Sequence, residues 1–167
     1  MAQHNLRVVG PSKNKEYNTD AGSTAILVGE PVNLYGTYSS GAASANYAVA
    51  LTDGKPVIGT DSFAGICSKT GTHTASADGK VLVARPIPNF TEIWGKAKST
   101  AAVDTAAELL AILGDVVLFD LTSTVYSIDQ AASADTSGLR IEDGNTAKGE
   151  LGVIVDARAM RNDISSS

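Results

Sequence analysis

The sequence predicts a mainly β protein: a small β-barrel or sandwich with one short α-helix and an extended N-terminal arm. Three observations predict it. Short runs rich in Val, Ile, Leu and Tyr alternate with clusters of Gly, Ser, Thr and Asp, the residues that let a chain turn. Three Asp-Gly pairs, Asp53-Gly54, Asp78-Gly79 and Asp143-Gly144, carry the chemistry of tight hairpins, because both central residues of a type I′ turn need positive φ. One segment alone, residues 105–113, has a clear helical period.

Composition bounds the answer. A chain of 167 residues with 43% hydrophobic content buries a core without metal or disulfide support, and global disorder is excluded. The net charge is −5 with no Lys/Arg cluster to relieve it. That argues against a nucleic-acid partner, which needs concentrated positive charge. Cys67 is the only cysteine, so neither an internal disulfide nor a multi-Cys zinc site is possible. MAQHNLRVVG lacks the apolar run of a signal peptide. No stretch approaches the ~20 apolar residues of a membrane-spanning helix, so no membrane partner is expected.

Residues 1–23 read as an arm. Their one apolar patch is Leu6-Arg7-Val8-Val9, followed by Gly10-Pro11 and a polar run. So little apolar surface does not offset the entropy of ordering, so the arm is expected to be mobile or ordered by a partner. The β-rich domain then spans residues 24–157. Strands are expected at 24–28 and 32–35, with Pro31 at a strand start or edge. A polar loop at 36–46 follows, then strands at 47–51 and 56–59 around Asp53-Gly54.

The central stretch, residues 56–88, promises strands at 63–68, 72–77 and 80–85, with Asp78-Gly79 turning the last pair. Residues 91–98 alternate charged residues with Ile93, Gly95 and Ala97, as a half-buried strand would, which leaves Trp94 as a partly buried packing residue on the outer side. Thr105 and Glu108 have capping-box spacing. Ala106, Leu109, Leu110 and Leu113 form an apolar stripe, and Gly114 ends the helix. A helix this short needs its stripe packed on a sheet. Residues 115–121 and 124–128 read as strands joined by a tight turn. Residues 139–141 and 149–157 enclose Asp143-Gly144, and the density of Leu151, Val153 and Val155 marks a central strand. Residues 158–167 read as a polar, exposed tail.

No catalytic constellation assembles from these residues. Cys67 and His73 lie close in sequence, yet a Cys-His nucleophile also needs an orienting group and an oxyanion hole. Cys67 ends an apolar run and is expected to be a small buried hydrophobe. His4 and His73 are far apart, and the scattered aspartates at turns are expected to accept backbone hydrogen bonds. No cofactor or metal is expected, and no phosphate loop precedes the helix. The residues point to a protein that is not an enzyme.

The order of motifs is similar to a known family. LVGEPVNLY, then PVIGTDSFAGICSKT, then THTASADGKVLVARPIP, then IWGKAKST resembles the small β-barrel capsid decoration, or head cement, proteins of tailed bacteriophages. The elements that carry the likeness are Gly29, Pro31 and Val32; Gly65, Ile66 and Cys67; and Asp78-Gly79. DVVLFDLTSTVYSID and GLRIEDGNTAKGELGVIVDAR look like virion proteins of this general type.

The resemblance implies a protein made in the host cytoplasm that sits on the capsid exterior of the virion. Its partners would be the major capsid protein and further copies of itself, in a homo-oligomer such as a trimer. An arm that orders on the shell fits residues 1–23 in composition, with Leu6, Arg7, Val8 and Val9 as the expected capsid contacts. The helix and long second half depart from the smallest members. Two other classes stay open: another virion part, such as a tail-tube or neck protein, and a carbohydrate-binding barrel presenting Tyr35, Tyr38, Tyr47 and Trp94 on one face.

Overall fold

A computed structural model describes residues 6–35, 47–132 and 134–160. The fold is mainly β, with two sheets and one short α-helix. Five strands close into a barrel in the order β2-β4-β3-β5-β6: β2 (Ser12–Thr19), β3 (Pro31–Tyr35), β4 (Tyr47–Ala50), β5 (Phe63–Lys69) and β6 (Gly79–Pro86). Six more form a sheet in the order β1-β7-β11-β10-β8-β9: β1 (Arg7–Val9), β7 (Glu92–Lys96), β8 (Val116–Thr122), β9 (Val125–Asp129), β10 (Leu139–Asn145) and β11 (Glu150–Val155).

Strand β5 is the wall shared by both units. Phe63 and Ile66 belong to the core of the six-stranded sheet, while Ala64 and Cys67 belong to the barrel core with Val32, Val81 and Val83. A strand buried on both faces needs apolar or small residues at every position, which is why FAGIC does not alternate. Gly65 lies between the two sets with φ 141°, and a Cβ there would stand 2.3 Å from the Ala84 carbonyl oxygen. The close approach of β6 demands glycine.

The six-stranded sheet curls. Ala97, just past β7, bridges Ile128 in β9, and the Lys98 N–H donates to the Ile128 carbonyl at 2.8 Å. Ile93 and Ala97 point into the core as the alternation predicts. Between them, Gly95 leaves room for Leu6, whose Cδ2 lies 2.4 Å from where a Cβ would stand. β11 is central, with Leu151, Val153 and Val155 fully buried.

The N-terminal arm is not what forms. Residues predicted to be an arm supply β1, which pairs with β7, and β2, which pairs with β6 over eight residues from Ser12↔Pro86 to Thr19↔Gly79. The polar run hides a strand because only Tyr17 and Thr19 need burial. The backbone ladder and one buried face order the rest. Residues 1–5 lie outside the described residues, as does the predicted loop at 36–46. The C-terminal tail is also corrected: Ala159 and Met160 are buried, and the Phe63 N–H donates to the Ala159 carbonyl at 2.9 Å. Residues 161–167 lie outside the described set.

Residues 24–28, 56–59 and 72–77, expected as strands, are loops, with a single bridge from Val57 to Ser137. Of the six residues in the three Asp-Gly pairs, only Gly54 has positive φ, at 68°, so none forms a type I′ turn. Asp78 instead accepts from the Ala21 N–H at 2.9 Å and the Tyr47 hydroxyl at 3.1 Å. The two-residue hairpin joins β8 to β9 through Ser123 (φ 52°) and Thr124 (φ 86°).

The helix α1 spans Ala106–Ile112. Its capping box is present: Thr105 Oγ1 accepts from the Glu108 N–H at 3.3 Å, and Glu108 Oε2 accepts from the Thr105 N–H at 3.1 Å. Gly114, at φ 88°, follows the helix, and its N–H donates to the Ile141 carbonyl. The stripe does not pack as a whole. Leu109 and Ile112 touch the core, whereas Leu110 and Leu113 are exposed.

Candidate functional site

The four expected contact residues separate along β1. Leu6 is buried and Val8 is half-buried against the core. Arg7 lies 6.0 Å over the Trp94 ring and 2.9 Å from Glu150 Oε2. The Arg7 hydrogen bond outweighs partial burial and holds the Glu150 carboxyl below its usual value. Val9 alone is apolar and exposed, at 46%.

The Cys-His pair does not form. Cys67 Sγ donates to the Lys69 carbonyl at 3.3 Å, and burial pushes the thiol up to about 11, so the nucleophilic thiolate is suppressed at neutral pH. His73 Nε2 lies 2.9 Å from the Ser23 carbonyl oxygen and 3.3 Å from Ser23 Oγ. Among the described residues, no three His, Cys, Asp or Glu side chains converge as metal ligands. Asp61 accepts from the Val57 N–H, the turn role expected of it, whereas Asp53 accepts from the Leu121 N–H of distant β8. Nor do the described aromatics share a face. Tyr47 is buried in the barrel, and Trp94 lies on the other sheet. The Tyr35 side chain and Tyr38 lie outside the described residues.

Among the described residues the fold leaves large apolar side chains exposed in several places, Leu27, Val28 and Val125 among them, and two such groups are anchored on β11. The first is the corner between β6 and β7, where Ile87 and Phe90 project, Phe90 at 65% exposure. The corner is rigidly built. The Phe90 and Thr91 N–H groups both donate to the Ile87 carbonyl, and the Asn89 N–H donates to the Val155 carbonyl at 2.8 Å. Thr91 Oγ1 donates to the Pro11 carbonyl. Val9, paired with Glu92, extends this surface onto β1.

The second surface is α1, where Leu110 is 72% exposed and Leu113 adjoins it. Leu109 seats the helix on Gly144, whose missing Cβ would stand 2.5 Å from Leu109 Cδ1. Gly144 pairs with Leu151 near the start of β11, and the first surface hangs from Val155 at its end. The two therefore sit toward opposite ends of β11, their anchor points Leu151 and Val155 four residues apart, roughly 13 Å at ~3.3 Å per residue. The signal for the first surface in the sequence is two large apolar residues, Ile87 and Phe90, in a loop with no strand period.

No family model matches the chain, and no curated protein and no solved structure matches it either.

Proposed function

We propose that this protein is a non-enzymatic virion component that binds the outer surface of a phage capsid and stabilises contacts between capsomers. The observation that supports it is the pair of exposed apolar surfaces toward opposite ends of one central strand. Each large apolar side chain moved out of water contributes ~1.5–3 kcal/mol. Two surfaces on one rigid frame can each engage a different subunit, and the second contact then forms at high effective concentration. The motif resemblance to capsid decoration proteins supplies the partner, the major capsid protein. Self-association into a homo-oligomer would repeat both contacts.

The test is to size the protein by light scattering and mix it with expanded, undecorated phage heads, then pellet them. Saturable co-pelleting is the expected outcome. No binding, with rings or tubes in solution, would replace this reading with a tail-tube or neck component.

A further inference from the structure

An aspartate followed by glycine carries a reaction of its own. The glycine backbone nitrogen can attack the aspartate Cγ, and with no Cβ on the glycine little shields that nitrogen. The chain holds three such pairs, and the fold treats them differently. Asp53 Oδ1 accepts from the Leu121 N–H at 2.9 Å, and the Gly54 N–H donates to the Phe119 carbonyl at 3.0 Å. Carboxyl and nitrogen are thus each tied to β8. Asp78 is tied through both oxygens, to the Ala21 N–H and the Tyr47 hydroxyl, and Gly79 is wedged against the His73 backbone.

Asp143-Gly144 differs from both. Asp143 is exposed, and its Oδ1 accepts from the N–H of Gly144 itself at 2.7 Å. Among the described residues this is the one hydrogen bond its carboxyl makes. Cγ lies one C–O bond beyond Oδ1, about 3–4 Å from the Gly144 nitrogen, which reaches the near-attack range of about 3–3.5 Å. The pairing register shifts between Ile141 and Asp143, and a bulge of this kind bends a strand and re-aims its side chains.

We infer that Asp143-Gly144 is a self-modification site, where the folded chain converts aspartate to isoaspartate. The Gly144 nitrogen bonds to Asp143 Cγ and a Cγ–O bond breaks. That oxygen leaves as water, with the amide proton and one proton from solvent, and a five-membered succinimide remains. Water then adds to either ring carbonyl and breaks its C–N bond. Opening at Cγ restores aspartate. Opening at the former main-chain carbonyl leaves the chain running through Cβ and Cγ, one methylene longer, with the carboxylate kept. Nothing is oxidised or reduced. The methylene enters β10 where Gly144 seats Leu109 and pairs with Leu151. The modification therefore loosens α1, the helix that presents Leu110.

The test ages the full-length folded protein at neutral pH for several weeks, beside a sample in urea. Tryptic peptides are then fragmented by electron transfer, which distinguishes isoaspartate from aspartate at each pair. In urea the three pairs should form isoaspartate at rates within about threefold of one another. In the folded protein residue 143 should run at least tenfold ahead of residues 53 and 78. The Leu109 methyl resonances should shift in the aged protein in proportion to its isoaspartate at residue 143. They should stay in place in aged Asp143→Glu, whose side chain cannot close the five-membered ring. A folded-state rate at residue 143 no faster than at residues 53 and 78 would overturn the inference. So would an equal lead of residue 143 in urea, since the sequence and not the fold would then select the site. Leu109 resonances that ignore the modification would overturn its effect on α1. The measurement uses no phage heads, so its failure is separate from failure of the capsid reading.

Discussion

Gly152 lies directly beneath the indole of Trp94: a Cβ at residue 152 would stand 2.7 Å from the ring. The two are register partners across β11 and β7, and Arg7 is the partner of Trp94 on β1. Three strands thus place guanidinium, indole and glycine in one row. Gly152→Val should push the indole off the sheet and cost about 1–3 kcal/mol, as overpacking does. Trp94 is the only tryptophan, so its emission reports the site directly. A red-shifted maximum with a lower urea midpoint is expected; unchanged emission would show that the indole does not rest there.

The β8–β9 turn holds non-glycine residues at φ 52° and 86°. Positive φ is costly for Ser and more so for the β-branched Thr. Replacing Ser123-Thr124 by Asn-Gly, the pair that suits a type I′ turn, should stabilise the fold by about 1 kcal/mol. Urea unfolding with an unchanged m-value measures it. A loss of stability would mean that these side chains hold the hairpin in a way their backbone geometry does not explain.

Lys98 clamps the curled sheet shut. Its Nζ lies 2.8 Å from Asp120 Oδ1 on β8 and 2.9 Å from Asp129 Oδ2 on β9. Burial alone would raise the Asp120 carboxyl, but hydrogen bonds from Lys98, Thr122 and Ser127 outweigh it and hold it below its usual value. A carboxyl lowered on folding stabilises fully above its unfolded value of ~3.9 and loses that contribution as pH falls through the folded value. Asp120→Asn should therefore flatten the acid limb of the stability profile below about pH 4 and cost about 2 kcal/mol at neutral pH. The Asp120 and Asp129 bonds raise Lys98, so its contribution is complete below its unfolded value of ~10.4 and fades only above that. A parallel acid limb in wild type and variant would contradict the clamp.

Features with a local cause were legible in the sequence. The capping box needs only Thr105 and Glu108, and β11 announces itself through Leu151, Val153 and Val155. The tight turn between β8 and β9 was legible in position, although its residues are unsuited to it. Features whose cause lies elsewhere in the chain were not. Gly79 follows an aspartate, yet glycine is required because a Cβ there would stand 2.1 Å from the His73 backbone nitrogen. Gly144 serves Leu109 rather than a hairpin. β2 is ordered by a ladder with β6, sixty or more residues away, and no local apolar count could reveal it. The burial of Leu6, one of the expected contact residues, has the same kind of cause. Leu6 fits a gap over Gly95 that exists only once β7 and β9 meet. The exposed surfaces depend on which apolar residues the fold leaves uncovered.

The two-surface account makes a sharp demand. Deleting residues 1–23 would remove β1 and β2, so point variants on the intact frame are the cleaner probe. The decisive measurement is the apparent affinity for expanded, undecorated heads of Phe90→Ser, Leu110→Ser and the double variant, with each fold checked by its thermal midpoint. Each single change removes one large apolar contact worth ~1.5–3 kcal/mol, about a tenfold or greater loss. The account predicts that loss for both singles, unaltered folding, and no saturable co-pelleting of the double variant. Wild-type affinity in the double variant would contradict it.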